Sequence, residues 1–319
     1  AAEGAARSRF SRLIRDRGEG DDLLKTLDPA ALARHPMLFS LHALSSLGAD
    51  PKSAQEVASL SRAPRSALLD LEDPTLRHEG EPGTGLPVDA QGILMATERI
   101  LGNWDRALFH ARHIERAIGE HDHHQVLRSG STALSRHSGL PLLCSQVALT
   151  ALLAGDSELA KRCASRALAE SQRKSDLAAQ AEANSLLALL HSPAFYTIGN
   201  DRFVSEAAET ARGSDAPLSA SAPFAEEFSR ALNLFVAGDA AGAKERLDAL
   251  APAVPRSELW TFFVRAEARI IHHLRGPRAA LRSLRSRLAA LTDVPPASPF
   301  MRRALVSRAA DLAICAGEL

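Results

Sequence analysis

The sequence predicts an all-α protein, a right-handed superhelical stack (solenoid) of helical hairpins, and three observations carry that reading. The first is a register that recurs around Gly102, Gly155, Gly238 and Gly276. The residues two and six before each glycine are small or apolar: Ile100 and Ala96, Leu153 and Leu149, Val236 and Leu232, Leu274 and Ile270. Those five and twelve after it are again small or apolar: Ala107 and Ile114, Ala160 and Ala167, Ala243 and Leu250, Leu281 and Leu288. That is a helix, a one-turn break and a second helix. Glycine relieves the backbone at the first helix end, and a following Asp or Asn can accept from the orphan N–H groups of the next helix. The second observation is composition. Apolar residues make up 45% of the chain and aromatics only 4%, so Ala and Leu must build the core, and such small side chains favour helices packed at short distance. The third is that β-branched residues are sparse and never alternate with polar ones over a strand length, which predicts almost no sheet.

Taken in order, residues 5 to 17 read as a short Arg-rich helix with Phe10, Leu13 and Ile14 on one side. Asp28-Pro29 and His35-Pro36 mark two helix starts, because proline is pre-set for the first helical position. The second start leads to Gly48, and Asp50-Pro51 opens the next helix with Val57 and Leu60 on its apolar side. Residues 1–71 are thus expected to hold N-terminal helices and a degenerate first hairpin. Residues 72–88, rich in Gly, Pro and charge, predict an exposed loop. Its glycines neither follow a strand nor open a helix, so no phosphate cradle is expected there. Residues 89–319 then form the repeat array, continuous with the N-terminal part, with a divergent unit near Gly199-Asn200-Asp201. Repeats of about 40 residues read as a solenoid.

A chain of 319 residues is long enough to bury a sizeable core. Its 38 basic and 38 acidic residues cancel, which argues against a polyanion-binding surface over the whole chain. Arginine outnumbers lysine 33 to 5, read as composition bias. Cys144, Cys163 and Cys315 are spread singly within apolar stripes, which predicts buried free thiols in a reducing compartment. No apolar run reaches the ~20 residues of a membrane span, and the first ten residues lack an apolar signal core. The absence of an initiator Met leads us to expect a piece of a longer protein.

Candidate chemistry is sparse. His110 and His113 lie three apart on one helix, and His121, His123 and His124 follow in what reads as the loop after it. Zinc could use such a set, but the closed four-ligand spacing of a structural site is missing, so no bound metal is expected. There is no G-x-S-x-G and no G-x-x-x-x-G-K-[ST], hence no recognisable acyl-transfer or P-loop machinery. The expectation is a non-enzyme without cofactors. Arg275, Arg278, Arg282 and Arg285, extended by Arg302 and Arg303, make a basic stripe that reads as a solvated face. Residues 54–71 look faintly like a helix-turn-helix, though Gly48 and Asp50-Pro51 fit a hairpin better.

The glycine followed by small or apolar residues at five, eight or nine and twelve resembles the tetratricopeptide repeat (TPR), from roughly Pro36 to Ala316. Pro255, seventeen after Gly238, falls where that repeat favours a proline to end its second helix. The segments G-I-L-M-A-T-E-R-I-L-G-N-W-D-R-A-L-F-H-A-R and L-F-V-A-G-D-A-A-G-A-K-E-R-L-D-A-L look like the helical repeat region of large actinobacterial LuxR-family transcriptional regulators of the MalT-like class. The resemblance implies a cytoplasmic, signal-sensing or protein-docking superhelix set between an ATP-binding module and a LuxR helix-turn-helix, neither of which is present in this sequence. The alternative is a free-standing TPR-type scaffold for protein–protein interaction.

In TPR-like stacks the first helix of each hairpin lines the inner curve, its exposed face expected three, six, ten and thirteen positions before the glycine. Counting back gives Arg99, Ala96, Leu152, Leu149, Phe235, Leu232, Phe228, His273, Ile270 and Phe263. The expected site is a groove walled by Phe228, Phe235 and Phe263, with Arg99 and His273 as polar handles and Trp260 at its rim. A mostly apolar concavity with a few placed polar groups suits a small-molecule inducer or a protein or peptide partner. Direct nucleic-acid binding by this segment and membrane contact are not expected; self-association is compatible with the fold.

Overall fold

A computed structural model describes residues 88–127, 140–191, 221–256, 259–291 and 297–318. Every described element is helical: α1 (Val88–Ile100), α2 (Trp104–Leu127), α3 (Leu140–Ala154), α4 (Ser157–Arg173), α5 (Leu177–Leu190), α6 (Ser221–Val236), α7 (Ala240–Leu250), a 3-10 turn (Ala251–Arg256), α8 (Trp260–Arg275), α9 (Pro277–Ala290) and α10 (Pro299–Ala316). No helix among the described residues is long and apolar enough to cross a membrane. The expected N-terminal hairpin, nearly all of the expected loop and the unit at Gly199 lie outside the described residues; Val88, given to that loop, begins α1.

The glycine junctions form for the reason the sequence suggests. Gly102, Gly155, Gly238 and Gly276 all take positive φ (79°, 91°, 92° and 80°), which glycine adopts without steric cost. Behind two of them an aspartate caps the next helix: Asp156 accepts from the N–H of Leu159 at 3.1 Å and Asp239 from that of Gly242 at 2.8 Å. Gly276 is followed directly by Pro277 at the first helical position of α9. One junction carries no glycine. Ser175 closes α4 with φ 54°, and Asp176 caps α5 by accepting from Ala179 N–H at 3.2 Å.

The first helices α1, α3, α5, α6 and α8 contact one another in sequence, while α2, α4, α7 and α9 each pack on the helix before and the helix after. α3 and α5 are buried on nearly every side. α10 packs on α8 and α9 and, in addition, on α3. There Ser298 accepts from the N–H of Met301, capping α10, and donates its hydroxyl to the carbonyl of Leu153 at 2.5 Å. One serine thus satisfies orphan groups at two helix ends. Phe300 fills the space beside Gly155, where an added Cβ would lie 2.5 Å from its ring.

Three further expectations are corrected. The stretch holding His121, His123 and His124 is the last part of α2 rather than a loop. α7 ends at Leu250, ahead of Pro255, which lies in the 3-10 turn. Cys144 and Cys163 are buried free thiols but Cys315 is exposed. Burial pushes the Cys163 thiol up to about 12, with Glu115 acting in the same direction, so it stays protonated and inert.

Candidate functional site

The site is best built from α8, whose rows divide cleanly. Counted back from Gly276, the residues six, ten and thirteen before it (Ile270, Ala266, Phe263) are buried. Those three, seven and eleven before it are His273, Arg269 and Arg265, of which the first two are exposed and the third half-buried. A helix places residues four apart almost above one another, so these three form one row along the outside of α8. The expected face was therefore off by part of a turn: only its position three before the glycine is accessible here.

Phe235, at the end of α6, meets that row from one side. The His273 ring stands edge-on to it at 5.7 Å between centroids, and the Arg269 guanidinium sits 5.6 Å above its face, close enough for cation–π attraction. Arg308 of α10 reaches His272, next to the row in sequence, and donates to its Nδ1 at 3.2 Å; arginine has no acceptor, so the imidazole must accept. Burial pushes the Arg308 guanidinium down, and the charges of Arg269 and Arg265 push the same way against Asp311. The carboxylates of neighbouring helices are engaged elsewhere: Glu226 and Glu227 with Arg230 at 2.5 Å, Glu227 also with Arg246 at 2.7 Å, and Glu318 with Arg285 at 2.9 Å. Among the described residues, Arg265, Arg269 and Arg308 enter no ion pair. The cluster thus supplies positive charge outside any ion pair, partly offset at Arg308 by Asp311, together with hydrogen-bond donors and an aromatic face.

The other expected wall residues are elsewhere. Phe228 and Phe263 are fully buried, and Trp260 is 8% exposed. Phe224, Phe228 and Phe263 pack together with centroids 6.0 to 6.3 Å apart. In a chain so poor in aromatics these rings carry the largest apolar area available to the core, and the core takes them. Arg287 covers the Phe263 ring at 5.6 Å and holds the buried Glu267 through two bonds of 3.0 and 2.7 Å. That pair is structural. Arg99 is not beside Phe235 either. It is buried between α1 and α3, donating to Thr150 Oγ1 at 2.7 Å and Gln146 Oε1 at 3.0 Å, while Gln146 donates onward to Glu182 on α5 at 3.4 Å. This polar ladder ties three first helices together.

Of the histidines, His110 is fully buried with its ring edge-on to Phe109 at 5.6 Å, and His113 is half-buried; the side chains of His121 and His123 lie outside the described residues. No group of three metal-capable side chains occurs among the described residues. In the outer basic stripe, Arg278 donates to the carbonyl of Ala316 at 3.2 Å and Arg285 to Glu318 at 2.9 Å, which fastens α9 to the end of α10. Arg275, Arg282, Arg302 and Arg303 are exposed.

Of the expected groove residues, Phe235 and His273 lie together on an accessible face, in the company of Arg265, Arg269, His272 and Arg308, which the counting rule does not select. The available signal was the spacing Arg265, Arg269, His273 within one first helix. Compared with known proteins, the chain matches no family model and no curated sequence.

Proposed function

We propose that this chain is the ligand-sensing or protein-docking array of a LuxR-family transcriptional regulator of the MalT-like class, a right-handed superhelix of TPR-like hairpins working in the cytoplasm. The observation that carries the reading is the layer of first helices, which leaves Phe235, Arg269 and His273 together on an accessible face. A layered array of this kind offers binding surface along its length. The cluster described above is equipped to hold a partner by charge and aromatic contact. The test is to clone the reading frame with its flanking DNA. A phosphate-binding loop upstream and a helix-turn-helix downstream are the expected result. A frame carrying neither would favour the free-standing scaffold and remove the regulator reading.

A further inference from the structure

We infer that the Arg265–Arg269–His273 row is a docking surface for an acidic helix of a partner protein, one that presents carboxylates at one-turn intervals. The inference rests on the docking reading above and names the chemistry of the occupant.

Geometry selects between kinds of anion. A small carboxylate or phosphate is held by donors that converge on one point, commonly in bidentate fashion. Here the donors are strung out: Arg265, Arg269 and His273 follow one another at four-residue spacing along α8, about 6 Å per step and about 12 Å in all at 1.5 Å per residue. Glu or Asp residues four apart on a second helix repeat at the same interval, so a helix lying along α8 would bring its carboxylates against the two guanidinium groups and the imidazole in turn. Phe235 lies beneath Arg269 at 5.6 Å, a cation–π contact that favours the placement of its head group beside the row. Arg308, bonded to the adjoining His272, adds positive charge close enough for Arg265 and Arg269 to act on it. Val236 and Leu274, 56% and 41% exposed beside Phe235 and His273, add an apolar end against which a partner side chain can settle.

A nucleic-acid backbone is the competing polyanion. The row is short, about 12 Å from Arg265 to His273. A duplex carries charge along its whole length, so a continuous phosphate track would run past the row within a few steps, and a chain of net charge zero adds no general attraction for it.

The experiment is fluorescence anisotropy on the whole chain with a labelled alanine-rich helical peptide of about 20 residues, a length at which an isolated helix is stable enough to use. Its glutamates stand four apart in one row; a second peptide of equal composition spreads them round the helix. The row peptide should bind at least about tenfold tighter than the spread one, and Arg265→Ala/Arg269→Ala should abolish that preference. Arg265→Glu/Arg269→Glu should recover binding to a peptide with lysines in the row, a result no general unfolding would produce. Arg282→Ala on α9 should change nothing. Equal binding of the two peptides, an undiminished preference in the double alanine variant, or tighter binding to duplex DNA of matched charge would each overturn the inference. None of these outcomes alters which modules flank the segment, so failure here and failure of the regulator reading are read separately.

Discussion

α3 and α8 are both first helices that end at a positive-φ glycine, yet their rows three, seven and eleven before that glycine meet opposite surroundings. In α3 the row is Leu152, Ala148 and Cys144, each 1% exposed or less. In α8 it is His273, Arg269 and Arg265, open to solvent at its end. The enclosing elements account for the difference. α3 is packed by α1, α2, α4 and α5 and is reached at its C-terminal end by α10. α8 has α6, α7, α9 and α10 around it, and the row beside Phe235 stays accessible. A repeat register therefore specifies the hairpin and leaves the chemistry of this row free to diverge, consistent with function residing in sites grafted on folds.

The largest test of that contrast substitutes the same register position in an enclosed and an open helix. Leu152→Ala should cost about 2–5 kcal/mol, because it removes buried methyl groups and leaves a cavity. Ile314 stands three before Gly317, which closes α10 with φ 71°, and is 64% exposed. Ile314→Ala should stay within about 0.5 kcal/mol. Denaturant midpoints of the two variants measure the difference, and equal losses would mean that α3 is less enclosed than described.

A second comparison uses two glycines with nearly the same backbone, Gly155 (φ 91°) and Gly238 (φ 92°). A Cβ at Gly238 meets nothing within 4 Å, whereas one at Gly155 falls 2.5 Å from the Phe300 ring. Gly238→Ala should cost about 1–2 kcal/mol, the backbone strain alone. Gly155→Ala should cost a further 1–3 kcal/mol or so from overpacking. In the double variant Gly155→Ala/Phe300→Ala the two losses should fall short of their sum, the mark of residues in contact. Strict additivity would show that α10 does not seat its Phe300 against the end of α3.

These pairs also mark what the sequence could tell. Gly102, Gly155, Gly238 and Gly276, with Asp156 and Asp239 behind two of them, were legible because glycine at positive φ and an aspartate cap are local requirements. Ser175 does the same work without glycine and gave no signal. The bond from Ser298 to Leu153 joins residues 145 apart, and no local pattern announces it. Phe235 and His273 do lie together on an accessible face, whereas Phe228, Phe263 and Trp260, expected on the same groove, are buried. Periodicity shows that a helix has an apolar stripe; which row faces the neighbours depends on packing that periodicity does not contain. Arg269 was overlooked because its row becomes visible only when that phase is known.

The smallest expected effect concerns the two capping aspartates. Asp156 and Asp239 each accept from a backbone N–H of the following helix, but of the two, among the described residues, only Asp156 also pairs with an arginine, Arg112 on α2 of the neighbouring hairpin, at 2.8 Å. Burial raises the Asp156 carboxyl, but the hydrogen bonds from Arg112 and Leu159 and the positive charges of Arg112 and Arg162 outweigh it and leave the group below its ordinary 3.8. The sign follows from linkage. A carboxyl with a depressed folded-state pKa contributes stability that is fully present above its unfolded value and is lost as pH falls through the folded one. Asn caps about as well as Asp, so Asp156→Asn removes the ionic part and keeps the cap. Because Arg112 is largely exposed, that part should be no more than about 1 kcal/mol. Denaturation midpoints of wild type and Asp156→Asn should differ at pH 6 and converge as the pH drops below the ordinary carboxylate range of about 4. Asp239→Asn, at a carboxylate with no arginine partner among the described residues, should give a smaller gap at pH 6. A difference for Asp156 that stayed constant with pH would separate its role from ionisation and leave it an ordinary cap.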